Sequence, residues 1–244
     1  MTYSLQLYTV RTPLEEDLPG TIARVAELGF TKVEPYNFVA KADELAEAFA
    51  KHGITAPSGH APLLKDDQDE IFAAANKLGI TTVIDPFIAA DQWQNAEDIQ
   101  KIADGLNAAA KKGAKYGIRV GYHNHAWELE SKINDTTALE YFETLLDPEL
   151  VLEVDTYWVS VGGANAVDIL TSLGERVKYI HIKDGPLNND TKAQLPAGQG
   201  EVPIWDVIGA AKHLEVGVVE FDDYAGDIFD GVAASLAFLN AGKA

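Results

Sequence analysis

Residues 115–123 read KYGIRVGYH, and the fold is decided by how often that arrangement returns. A helix tail gives way to a glycine, and the glycine to a run of apolar and β-branched residues. Residues 26–34 (AELGFTKVE), 50–57 (AKHGITAP) and 76–84 (NKLGITTVI) repeat it, with Gly29, Gly53 and Gly79 standing where Gly117 stands. Glycine ends a helix in the left-handed conformation without a Cβ clash, so each recurrence predicts helix, stop and strand. Working outward, eight strands are expected, beginning near Ser4, Thr31, Ile54, Thr81, Ile118, Leu150, Val177 and Val216. Their spacing is close to the ~30 residues of one strand–helix unit. Such alternation predicts a parallel sheet with helices outside it. Eight units favour an α/β fold closed into a single (β/α)8 TIM barrel over residues 1–244. The rival, a doubly wound nucleotide-binding sheet, needs G-x-G-x-x-G after strand 1, and Tyr8 to Gly20 holds none.

Composition narrows the function. The chain has 244 residues, 47% hydrophobic and 23% charged, which describes an ordered globular protein. No apolar run approaches the ~18 residues of a membrane span. The opening MTYSLQLYTV lacks the basic-then-apolar layout of a secretory signal. The absence of cysteine excludes disulfides, thiolate catalysis and cysteine-ligated zinc. A cytoplasmic location is expected. The formal charge of −19 repels phosphate backbones, so neither nucleic acid nor a membrane is an expected partner.

In a closed barrel, chemistry lies at the C-terminal ends of the strands. His52 and His213 follow lysines near helix ends and read as structural. His60, His123, His125 and His181 all fall at or near strand ends, as do Glu34, Glu153, Asp155 and Glu220. Side chains alternate along a strand. Tyr122, Val154, Ile180, Ile182, Val219 and Phe221 are therefore expected to face the helices. His123, His125, Glu153, Asp155, Tyr179, His181, Lys183 and Glu220 are expected to face inward. Inward charges are costly unless paired or bound to metal. Carboxylates and imidazoles on strands 5–8 suit a divalent cation; the structural alternative is a buried ion-pair network with Lys183 and Arg119. Glu153, one layer below Asp155, is expected to be a structural partner.

In order and spacing, SLQLYTVR, GFTKVEPY, GYHNHAWELE, LEVDTYWV, YIHIKDG, GQGEVPIW and VVEFDD make the chain resemble the xylose isomerase-like TIM barrel family over essentially its whole length. That family includes sugar-phosphate isomerases/epimerases, inosose dehydratases and endonuclease IV. The resemblance implies a divalent ion (Mn, Mg, Co or Zn) held by a Glu, an Asp, a His and a Glu on strands 5–8. Asp155, His181 and Glu220 match the last three, while His123 stands at the strand-5 position. Trp158 replaces a histidine often found three residues after the aspartate, and Leu187 replaces an arginine six residues after the strand-7 histidine. The Tyr-His-Asn-His string with downstream Glu128 resembles a subgroup of isomerases of unassigned substrate.

The implied function is metal-dependent isomerisation or epimerisation of a ketose or related sugar through an enediolate. Glu220, or else His125, removes the α-proton. Lys183 and His60 bind substrate hydroxyls or the oxyanion, Gln6 and Glu34 contact substrate, and Trp158 offers a packing face. Arg11 either binds an anionic group or is solvated. Few cations reach the rim, so a phosphorylated substrate is disfavoured. Loss of the symmetric glutamate pair moves weight toward an alternative, an inosose-type dehydratase on the same site. A non-catalytic sugar-binding barrel or subunit is the other alternative, and a DNA-repair nuclease is opposed by the charge. The expected partner is a small sugar or polyol; residues 185–203 offer a lid or a contact between copies in a homo-oligomer.

Overall fold

The computed structural model describes residues 3–242. Eight parallel strands occur where the apolar runs place them: β1 Tyr3–Gln6, β2 Lys32–Glu34, β3 Ser58–His60, β4 Thr82–Asp85, β5 Arg119–His123, β6 Val151–Asp155, β7 Val177–Ile182 and β8 Val216–Val219. Their order around the sheet is β2-β1-β8-β7-β6-β5-β4-β3. The two ends meet through parallel bridges, Lys32 with Thr55 and Tyr36 with His60. Backbone bonds from Val33 N to Thr55 O (2.9 Å) and from His60 N to Pro35 O (2.8 Å) close the cylinder.

Outside it lie α1 Leu18–Glu27, α2 Ala42–His52, α3 Gln68–Leu78, α4 Ala96–Gly113, α5 Ala138–Glu143, α6 Ala166–Leu173, α7 Ile204–Ala210 and α8 Ile228–Ala241. Local chemistry sets their ends. Asp67 accepts from the Asp69 and Glu70 amides at the start of α3, and Gly79 ends that helix at φ +71°. Gly29, Gly53 and Gly117, the other recurrent glycines, also adopt positive φ.

The core has two parts. Tyr122 packs outward on Trp93 and Phe142, with ring centroids 5.3 and 5.2 Å away. Inside the barrel, Ile84, Val151, Tyr179, Val216 and Val218 form a separate apolar cluster. At its N-terminal end Arg119 pairs with Glu215 (2.6 Å) and meets the Tyr179 hydroxyl (3.0 Å). Arg119 therefore belongs to the barrel floor, away from Lys183. The interior above that apolar layer is polar.

Candidate active site

Register determines which polar side chains meet. His123 pairs across the sheet with Glu153, and Asp155 with His181. Asp155 also begins a short helix, Thr156–Val161, whose Trp158 amide donates to Asp155 Oδ1 at 3.0 Å. That cap fixes the carboxylate and leaves Oδ2 toward the barrel axis, 3.9 Å from both His123 Nε2 and His181 Nδ1.

Asp155, His181 and Glu220 each bring one donor atom within 4.8 Å of the others, and all three are buried. His181 Nδ1 lies 2.6 Å from Glu220 Oε2. Lys183 Nζ stands 2.8 Å from Asp155 Oδ2, Glu220 Oε2 and Asp222 Oδ2. Burial opposes ionisation of Glu220, but His181 and Lys183 hold its carboxyl well below the usual range. Burial outweighs the same cations at Asp155 and raises it to about 6. Asp155 Oδ2 is buried, and its close partner is the Lys183 ammonium. Two carboxylates and an imidazole converging at one point are a donor set that fits a divalent cation.

A second set lies beneath. His60, His123, Glu153 and His181 also bring donors within 4.8 Å of one another. His123, expected to complete the set with Asp155, His181 and Glu220, instead turns Nδ1 to within 3.2 Å of Glu153 Oε2. Glu153, read from sequence as a structural partner alone, is at the centre of this lower group. Glu34 adjoins it, accepting from Gln6 Nε2 at 2.8 Å and from the Ser58 hydroxyl.

Several expected substrate contacts lie elsewhere. Gln6 and Glu34 are fully buried. The Gln6 amide is committed to Glu34 on one side and the Tyr8 amide on the other. Glu34 is in turn engaged by His60 and His181, so both side chains are held within the buried network. Trp158 is nearly buried, packed edge-on against Tyr157 with Lys183 Nζ 5.6 Å from its ring centre, and does not line the mouth pocket. Lys183 is enclosed by three carboxylates rather than presented to a hydroxyl. Arg11 lies over the Tyr8 ring at 4.3 Å. The 185–203 segment is pinned rather than free: Asp184 accepts from the amides of Gly185, Gly198, Gly200 and Val202.

The pocket at the mouth is about 340 Å³ and is lined by Tyr8, Tyr36, Asn37, His60, Pro86, Phe87, His123, His125, Glu220 and Asp222. Sequence reasoning found its ionisable groups except Asp222, and missed Tyr8, Tyr36 and Phe87. These follow strands 1, 2 and 4 directly, which was the available signal. Tyr8 and Phe87 are 39% and 45% exposed, giving the apolar face once assigned to Trp158. A larger groove of about 570 Å³, between α6 and α7, lies outside the barrel beside Val167, Leu170 and Trp205.

His125 lies past the end of β5. Its ring stacks on Trp127 at 4.4 Å and 4°, and its amide donates to Glu128 Oε2 at 2.9 Å. Glu128 Oε1 accepts from the Tyr122 hydroxyl at 2.5 Å. The downstream glutamate of the Tyr-His-Asn-His string thus ties the loop to its own strand. Burial, then the Lys183 charge, lowers His125 to about 4, and its Nδ1 is buried without a partner.

Comparison with known proteins agrees with this fold. A relative named inosose dehydratase, from Clostridium beijerinckii, is 26% identical over 161 residues, covering 64% of this chain and 47% of the relative. The chain thus spans about half the length of that relative. A sugar phosphate isomerase/epimerase from Parabacteroides distasonis superposes with a TM-score of 0.84 at 21% identity, covering 99% of this chain and 94% of that one. An IolI protein with bound zinc superposes with a TM-score of 0.76 at 16% identity, covering 99% and 97%. At these identities the two structures speak to the fold. The model of the xylose isomerase-like TIM barrel matches residues 22–241. With the barrel closed and its polar mouth assembled, the chain belongs to the xylose isomerase-like TIM barrel family.

Proposed function

We propose that the protein is a metal-dependent lyase that removes water from a neutral keto-polyol of the inosose class. The observation that carries this is His125, an imidazole on the wall of a pocket that also reaches Glu220, held there by stacking on Trp127 and lowered in basicity by burial. Asp155, His181 and Glu220 would hold the divalent ion. When bound, the ion supplies Lewis-acid polarisation of the substrate carbonyl, which acidifies the adjacent C–H.

The chain's own residues supply the rest. Neutral His125 accepts the α-proton. Its low basicity makes the resulting imidazolium a strong acid, suited to return that proton to the β-hydroxyl as it leaves. The C–H and C–O bonds break, a C=C bond forms, and water departs with the proton His125 carried. Glu128 and Trp127 hold the ring in place, while Tyr8, Tyr36 and Phe87 offer apolar surface to a sugar face and exclude water. Asp222, fixed by Lys183 (2.8 Å) and Gln194 (2.7 Å), offers an acceptor to substrate hydroxyls. Acidic side chains line this pocket, so a neutral substrate fits it better than a phosphate ester.

The relative named inosose dehydratase supports the lyase over the isomerisation or epimerisation expected from sequence. Replacement of the strand-5 glutamate by His123 supports it too, since a two-carboxylate proton exchange across the sugar is then unavailable. The test is to incubate metal-loaded protein with inososes and ketoses and to follow product by ultraviolet absorbance and mass. A conjugated product lighter by one water supports the lyase. An isomer of unchanged mass returns the reading to an isomerase.

A further inference from the structure

The lower donor set has a geometry of its own. Glu153 Oε2 has His60 Nε2 at 2.6 Å, His181 Nε2 at 3.1 Å and His123 Nδ1 at 3.2 Å, so three imidazoles converge on one carboxylate oxygen. Two observations distinguish this from a simple ion-pair network. Glu153 Oε1 is buried and lacks a hydrogen-bond partner, and His123 Nδ1 has only a long, poorly aligned approach to Glu153 Oε2. A purely structural network would leave that oxygen unsatisfied at a cost. The charge balance is also specific. Glu34 Oε1 lies 3.1 Å from His60 Nε2 and 3.0 Å from His181 Nε2, so two buried carboxylates are faced by imidazoles. Such a nest is neutralised by two imidazolium protons or by one dication.

We propose that His60, His123 and Glu153, with the Nε2 edge of His181, form a second cation site beneath the Asp155–His181–Glu220 set, selective for a borderline transition metal such as zinc or cobalt. Three imidazoles and one carboxylate match the donor preference of those ions; magnesium and calcium prefer oxygen-rich shells. The ring of His181 borders both sets, Nε2 facing Glu153 and Nδ1 facing Glu220, so with both ions bound it would bridge them as an imidazolate, its ring proton released to solvent. Nothing in the inference depends on the lyase chemistry, only on which atoms meet under the pocket floor.

The experiment is ion counting on the intact chain. Protein stripped with a chelator is equilibrated with zinc or cobalt, dialysed and analysed for metal. Wild type is expected to retain two ions per chain; Glu153→Gln and His60→Gln are each expected to retain one. The cobalt-loaded protein should show a visible absorption band that Asp155→Asn keeps and Glu153→Gln loses. A wild type that never exceeds one ion, or a Glu153→Gln protein that still holds two, overturns the proposal. If Glu153→Gln does not fold, His60→Gln at the pocket wall gives the same reading. A count of one ion with dehydration intact would remove the lower site and leave the lyase; two ions with no dehydration would do the reverse.

Discussion

Replacing Asp184 by asparagine tests how the loop after β7 is held. Asp184 Oδ1 accepts from the amides of Gly185 (2.8 Å) and Val202 (3.0 Å), and Oδ2 from Gly198 (2.8 Å) and Gly200 (3.0 Å). In Asp184→Asn one oxygen becomes an NH2 group that cannot accept, so two of those amides lose their acceptor whichever way the side chain turns. Hydrogen bonds to a charged group contribute ~1.5–3 kcal/mol each, so the loop loses about 3–6 kcal/mol. A loop opens without the barrel, which places the loss in local rather than global unfolding. At ~1.4 kcal/mol per tenfold, amide protection across the loop should fall at least ~100-fold. Gln194, on this loop, accepts from the Asp222 amide and donates to its carboxylate, so turnover should fall with it. Hydrogen exchange read by mass spectrometry, alongside urea unfolding, measures both. Protection within a few-fold of wild type would show that Asp184 does not hold the loop.

Other perturbations separate local from catalytic effects. Gly79→Ala places a Cβ at φ +71° with no atom within 4 Å, so its cost is the backbone conformation alone. The urea midpoint should fall by an amount equivalent to ~1–2 kcal/mol, and an unchanged midpoint would contradict the left-handed cap. Burial raises Glu128 from 4.5 to about 8, so between those values the folded chain keeps a proton that the unfolded chain releases. Its contribution to stability therefore falls as pH rises through that window. Glu128→Gln should lose less stability than wild type between pH 5 and pH 8, and parallel unfolding profiles would refute the assignment. His125→Gln should lower kcat at least ~100-fold, as expected for loss of a general base, with a near-wild-type melting temperature. Retained turnover would move the proton to another group. Chelation should abolish turnover while circular dichroism stays native, because Lys183 and the imidazoles still balance the carboxylates.

The architecture was legible in the sequence because its signals are local. A glycine after a helix tail needs only its own turn to act, and two-residue alternation sends Tyr122 outward and His123 inward whatever the neighbouring strands do. Height along the barrel axis is different. It depends on the stagger between strands, which no single segment encodes. Strand ends group Asp155, His181 and Glu220, but alternation cannot place His123 level with Glu153, nor join Gln6 and Glu34 to the buried imidazoles. The pocket's aromatic wall escaped notice because Tyr8, Tyr36 and Phe87 lie in connections, where strand periodicity has stopped. Glu128 stood out in a recognisable string, yet its task, bonding Tyr122 and the His125 amide together, appears only when the loop folds back on its strand.

If the carboxylates and imidazole at the mouth of the barrel bind a divalent cation, the ion itself should be visible there. Diffraction from crystals equilibrated with zinc, recorded on both sides of the zinc absorption edge, tests it most directly. An anomalous peak in contact with Asp155, His181 and Glu220, lost in Asp155→Asn, is the expected result. No peak there at saturating zinc, with Lys183 still bridging Asp155 and Glu220, would contradict it.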